Sequence, residues 1–98
     1  MTNYVAYVAG PPGTANLAFI DTAGTMLLKT GPGSLKGVSI DVPAASGTVT
    51  LYDGIDDTGK VIGVLDASVD VYLDYGCQFN TGLNVQVVGN PEVTISFF

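Results

Sequence analysis

Short runs of alternating apolar and polar residues, separated by glycine, proline and aspartate, most constrain how this chain can fold. The pattern is clearest between Ser34 and Asp66, where three runs span Leu35–Val42, Gly47–Asp53 and Lys60–Asp66. A period of two places apolar side chains on one face of a strand, and the breakers end each run. The stretch therefore predicts three strands joined by two turns, a β-meander.

The rest of the chain continues this pattern. Further strand-like runs lie at Tyr4–Val8, Leu17–Asp21, Thr25–Thr30, Val69–Tyr75, Leu83–Val88 and Val93–Phe98. Only three residues separate the second and third of these runs, which predicts that they form a hairpin. Lys60–Asp66 carries apolar residues at adjacent positions, so we expect both of its faces to be covered, with Gly63 at a bulge or a close backbone approach. Val69–Tyr75 predicts a half-buried strand with an acidic outer face.

Length and composition favour one all-β domain. The chain has 98 residues, one glutamate and no arginine, so helix-favouring residues are scarce. About eight short strands with Gly/Pro turns predict a single-domain antiparallel β-sandwich, of jelly-roll type or, as an alternative, a small barrel. Residues 17–98 would form this sandwich. Residues 1–16 would form an N-terminal arm or an edge strand, since a Gly-Pro-Pro-Gly break follows Tyr4–Val8.

The charge balance excludes several classes of function. Nine acidic residues oppose three lysines, the net charge is −6, and there is no histidine. Without arginine or histidine the chain lacks the usual groups for neutralising phosphates, which argues against nucleic acid as a partner. Hydrolysis by a Ser-His-Asp or Cys-His mechanism needs an imidazole and is excluded. We expect no enzymatic activity.

Other sequence signals set expectations for the location of the protein. No apolar run is long enough to span a bilayer, and no signal peptide is recognisable, which predicts synthesis in a cytoplasm and no membrane partner. Cys77 is the single cysteine, so no disulfide can form within the chain. We expect Cys77 to be a small core residue.

One turn is rich in carboxylates. Asp53–Gly59 holds three aspartates and two glycines, a composition that suits calcium. It lacks the ligand spacing and the terminal glutamate of a calcium loop, and Asp-Gly and Thr-Gly are ordinary turn dipeptides. The turn interpretation is therefore favoured, and we expect neither a metal nor a cofactor.

The surface is expected to be partly apolar. With 47% hydrophobic residues and a mean hydropathy of +0.42, a 10.1 kDa monomer has little means of hiding its apolar area, which predicts self-association. The candidate contact residues are uncharged side chains near the two ends of the chain: Tyr4, Val5, Tyr7, Val8 and Phe98. The five tyrosines could instead form a platform for stacking sugars, which leaves carbohydrate binding as an alternative.

From Leu35 onward the sequence contains a succession of motifs that are mostly turns and core strands. They are Leu35-Lys36-Gly37-Val38, Pro43, Gly47-Thr48-Val49-Thr50-Leu51-Tyr52-Asp53-Gly54, Gly59 to Asp66, Gly82-Leu83-Asn84-Val85 and Gly89-Asn90-Pro91-Glu92-Val93-Thr94-Ile95. This succession resembles small β-sandwich virion proteins of tailed bacteriophages, of the head-decoration, or cement, and head-fibre type.

The resemblance implies a non-enzymatic structural protein on the outer capsid surface of a virion. Such a protein binds the major capsid protein, stabilises capsomer junctions and forms a homotrimer or another small homo-oligomer. Display of a host-attachment module that binds carbohydrate, and a place in the tail or baseplate, are the alternatives. An acidic chain fits the capsid exterior, because packaged DNA would repel it.

Overall fold

The computed structural model describes residues 16–56 and 58–98, together with the backbone of Val5–Val8. Its regular structure consists of β-strands, and no helix occurs in this part of the chain. The strands are β1 (Val5–Val8), β2 (Asn16–Ile20), β3 (Gly24–Thr30), β4 (Gly33–Val42), β5 (Thr48–Asp53), β6 (Lys60–Asp66), β7 (Val71–Phe79), β8 (Gly82–Val88) and β9 (Glu92–Phe97). The prediction of an all-β protein is confirmed.

The strands form two antiparallel sheets that pack face to face. One has five strands in the order β1-β2-β9-β4-β7, and the other has four in the order β3-β8-β5-β6. Without β1, these are the two four-stranded sheets of an eight-stranded jelly roll. The predicted antiparallel β-sandwich is therefore confirmed.

From β2 and β9 the pairing is nested along the chain, so that β2 pairs with β9, β3 with β8, β4 with β7 and β5 with β6. Two predicted local pairings are therefore wrong. The run Leu35–Val42 does not join Gly47–Asp53 in a meander, because β4 and β5 belong to opposite sheets. Likewise β2 and β3 form no hairpin, because the chain crosses between the sheets after Ile20. Only β5 and β6 pair as sequence neighbours within the stretch first interpreted as a meander.

The core lies between the sheets and is lined by the inward-facing side chains of β2 to β9. In β9, Val93, Ile95 and Phe97 are buried while Thr94 and Ser96 are partly exposed, as alternation predicts. Each fully buried aliphatic or aromatic side chain of this kind contributes about 1.5–3 kcal/mol through the hydrophobic effect. Cys77 is partly exposed and packs against the core.

Three of the sheet edges carry β-bulges. The register slips at Leu28 in β3, at Ile62 in β6 and beside Gly76 in β7, where Gly76 has a φ of +55°. A bulge twists an edge and hinders pairing with another strand. The expectation that Lys60–Asp66 is covered on both faces is wrong, because Val61 and Val64 on its outer face are 52% and 59% exposed. The expected bulge or close approach at Gly63 is confirmed, since Ile62 is the extra residue beside it.

The backbone of β1 lies at the fourth edge. Val5–Val8 pair antiparallel with Leu17–Ile20, without a register shift. Residues 1–4 and 9–15 lie outside the described residues, so the remainder of the expected arm stays a prediction.

Candidate functional site

Exposed apolar side chains are frequent on β6, on β7 and in the turn between them. Among the described residues, five of the eleven large apolar side chains that stay exposed lie between positions 61 and 73: Val61, Val64, Val69, Tyr72 and Leu73. Between the two edge strands runs a groove of about 240 Å³, lined by Val64, Leu65, Asp66, Val69, Val71 and Leu73. We call this groove and its rim the open side. Its volume is below the ~300–1,000 Å³ of typical ligand pockets.

The open side exists because inward-facing side chains of β7 are only partly covered by the opposite sheet. Leu73 pairs with the fully buried Val38, so it faces the interior, yet 41% of its surface is exposed. A core position on an edge strand is shielded only by what the opposite sheet places above it. Here the opposite edge is β6, and the space between the two edges forms the groove.

Tyr75 forms a bridge between the sheets next to the groove. Its ring packs against Gly63 of β6, where a Cβ would lie 2.8 Å from Cε1 and 2.9 Å from Cζ. Only glycine leaves room for the ring at this point. Burial, followed by the nearby Cys77, raises the pKa of the Tyr75 hydroxyl above its usual range. The bridge therefore fixes the spacing of β6 and β7 beside the groove.

The turn between β6 and β7 is anchored to the rest of the sandwich. The N–H of buried Ala67 donates to the carbonyl of Gly47, and its own carbonyl accepts from the N–H of Ala44. The Asp66 carboxylate accepts from the N–H of Ser68 at 2.9 Å and from its hydroxyl at 2.6 Å. Val69 follows Ser68, and its side chain is exposed on a turn whose backbone is fixed by these hydrogen bonds.

The rim of the groove is acidic. Asp66 lines the groove, Asp70 follows Val69, and Asp74 follows Leu73, and all three are exposed. Hydrogen bonds from the Ser68 hydroxyl and N–H lower the pKa of the Asp66 carboxyl, which therefore carries a charge at neutral pH. None of the three lysines lines the groove. The open side is thus an apolar surface in a negative field.

The carboxylates of the Asp-rich turn bind backbone groups. Asp53 accepts from the N–H groups of Asn80 and Thr81 at 3.0 and 2.8 Å, and Asp56 accepts from Thr58. The Thr81 and Asn80 hydrogen bonds lower the pKa of Asp53. Asp57 lies outside the described residues, among which no group of three or more His, Cys, Asp or Glu could hold a metal. Asp56 thus bonds within its own turn, as the favoured turn interpretation has it, whereas Asp53 fixes the turn between β7 and β8.

One buried polar side chain was not anticipated from the sequence. Asn84 lies on the outer face of β8, where the loop after β5 covers it, and only 2% of its surface is exposed. Its amide donates to the carbonyl of Ile55 at 3.4 Å, while its Oδ1 has no partner in the described part of the chain. Alternation predicts a polar residue at position 84, but nothing in the neighbouring sequence indicates that a loop covers it.

The contact residues proposed from the sequence lie away from the groove. Phe98 is 42% exposed and exchanges backbone hydrogen bonds with Ser34, near the end of β7 opposite the groove. Tyr4 and the side chains of Val5, Tyr7 and Val8 lie outside the described residues. Their roles as contacts stay predictions. Sequence reasoning missed the groove residues because alternation assigned Val69 and Leu73 to the dry face of a half-buried strand.

Comparisons with known proteins do not extend this description. No protein-family model matches the chain, and no curated protein matches it. In the part of the chain that the structure describes, no helix has the length and apolar character needed to cross a membrane. The open side is thus characterised by its own geometry.

Proposed function

We propose that this protein is a non-enzymatic structural component of a tailed-phage virion that decorates the outer surface of the capsid. It binds the major capsid protein, stabilises capsomer junctions and associates with copies of itself in a small homo-oligomer such as a trimer. It is made in the host cytoplasm and joins the particle before lysis. Neither nucleic acid nor a membrane is among its partners.

The observation that carries this proposal is the open side. A water-soluble protein seldom leaves a grooved apolar surface on an anchored turn unless another protein covers it. Jelly rolls recur in viral capsid and lectin domains, so the fold is compatible with the proposal, although fold alone does not determine function. The net charge of −6 favours the capsid exterior, because phosphate groups inside would repel the chain.

Binding to particles tests the proposal. Capsids that lack this protein, produced by deleting its gene in the phage that encodes it, are incubated with the purified chain and separated by sedimentation. We expect saturable binding and a higher temperature for DNA release from the decorated particles. Absence of binding, with the protein recovered only on tails, would move the assignment to the tail or baseplate.

One observation favours carbohydrate binding as a second candidate function. Tyr72 stands on the outer face of the five-stranded sheet, opposite Ser39 in register, and 57% of its surface is exposed. Its ring packs against Gly37, where a Cβ would lie 2.7 Å from Oη and 3.0 Å from Cζ. An exposed ring beside hydroxyl groups suits the apolar face of a sugar. A glycan array compares the wild type with Tyr72→Ala: hits lost in the variant support this function, and an array without hits removes it.

A further inference from the structure

We infer that the open side docks an apolar segment of another protein that is flanked by lysine or arginine. The inference rests on the proposed function in one respect: on a virion, the segment would belong to the capsid protein. The groove and its charges are properties of this chain alone, so the chemistry of the occupant can be tested without a particle.

The shape of the groove defines the apolar part of the occupant. Its walls are valine and leucine side chains, and about 240 Å³ accommodates a few apolar side chains. Leu73 and Val64 are 41% and 59% exposed, so covering them removes apolar surface from water and favours association. The Ala67 anchor and the Tyr75 bridge hold both walls in place before binding. Such preorganisation reduces the entropy lost on association.

The edges on either side of the groove limit how the occupant can bind. β6 and β7 each carry a bulge, at Ile62 and beside Gly76. Continuous addition of a strand to either edge would meet an interrupted ladder. The occupant is therefore expected to bind through side chains inserted between the edges.

The charges select a basic occupant over a second copy of this chain. Asp66 lines the groove, and Asp70 and Asp74 are exposed and each follow one of its lining residues, so a second copy docked at the same place would bring like carboxylates together. Like charges brought together oppose association, whereas lysine or arginine beside the apolar segment gains from the same field. Self-association is then expected to use another surface.

Nuclear magnetic resonance with short peptides tests the inference. The probe is a five-residue peptide with a Val-Leu-Val centre and a lysine at each end, titrated into the methyl-labelled full chain. We expect shifts confined to the methyl groups of Val64, Val69, Val71 and Leu73. A matched peptide with glutamate at each end should bind at least tenfold more weakly, and one with a serine centre should cause no shifts. Equal binding of the lysine and glutamate peptides would overturn the inference.

Variants separate the two components of recognition. Val64→Ser with Val69→Ser should abolish the shifts, whereas Val88→Ser, at an exposed valine elsewhere, should leave them unchanged. Asp70→Asn with Asp74→Asn should weaken binding about threefold and reduce its salt dependence. Asp21→Asn is the charge control, and Asp66 is kept because it caps the turn. Thermal melts verify that each variant is folded, and unchanged peptide binding by both double variants would contradict the inference.

The two proposals fail in different ways. If the lysine peptide binds the groove but undecorated capsids do not bind the chain, the inference stands and the virion function falls. If capsids bind the Val64→Ser, Val69→Ser variant as well as the wild type, the virion function stands and the groove is not its contact.

Discussion

The centre of the sandwich and its open side contain the same apolar residue types, which are buried in the centre and exposed on the open side. In β8 and β9 the inward valine, isoleucine and leucine side chains are buried, and strands lie on both sides of each. In β6 the outward-facing Val61 and Val64 are 52% and 59% exposed, and in β7 even the inward-facing Leu73 is 41% exposed, because this strand lies at the edge of its sheet. The difference shows that position in the sheet, more than residue type, decides whether an apolar side chain stabilises the fold or remains available for a partner.

Truncation of one side chain in each region should give the largest difference in stability. Phe97 lies in β9 and is 1% exposed, so Phe97→Ala should lower the free energy of unfolding by about 3–5 kcal/mol. Val64→Ala removes exposed methyl groups and should change it by about 0.5 kcal/mol or less. Urea unfolding measures both. A similar loss in the two variants would mean that the open side is part of the core.

The contact between Tyr75 and Gly63, at the boundary of the two regions, can be tested by its effect on stability. Gly63→Ala places a methyl group within 3 Å of the Tyr75 ring and should cost about 1–3 kcal/mol of stability as the ring is displaced. In a Tyr75→Ala background the same change should cost much less. A double-mutant cycle measures this coupling, and strictly additive effects would contradict the bridge.

Acid should act on the turn between β7 and β8. Hydrogen bonds from Thr81 and Asn80 lower the folded-state pKa of Asp53 below its ordinary value of 3.8. The unfolded state then binds the proton more readily, so this contribution to stability is complete above pH 3.8 and is lost as the pH falls through the lower folded-state pKa. Melting temperatures from pH 7 to pH 2 should fall less steeply for Asp53→Asn than for the wild type. Parallel curves would show that the carboxylate does not hold the turn.

The smallest expected effect is at Phe98. Its backbone hydrogen bonds to Ser34 remain in Phe98→Ala, so stability should change by about 0.5 kcal/mol or less. Light scattering then decides its predicted role: a smaller oligomer with unchanged stability places Phe98 in a subunit contact. An unchanged oligomer removes it from the interface.

Local pattern predicted the strands well and their partners poorly. The flanking breakers located Lys60–Asp66 at its observed bounds, and alternation placed Val93, Ile95 and Phe97 on one buried face. It assigned neighbouring runs to hairpins, because nothing within a run encodes pairing with a strand fifty or more residues away. The pairing of β2 with β9 is such a case.

The same limit explains why the candidate site was not predicted. Leu73 has the sequence signature of a core residue, and its exposure follows only from the place of β7 at the edge of its sheet. Gly63 was predictable as an irregular position, but its partner Tyr75 was not, since the two meet across the sandwich. The carboxylates of the Asp-rich turn were assigned to turn chemistry from the turn dipeptides and from the missing ligand spacing of a calcium loop.

A cryo-EM map of the virion, at a resolution that distinguishes side chains, tests the central claim most directly. The account predicts the jelly roll on the outer capsid surface with Val64, Val69 and Leu73 covered by an apolar segment of the capsid protein and a basic residue beside Asp70 or Asp74. A particle whose capsid carries no such density, or a decorating sandwich whose open side faces solvent, would contradict it.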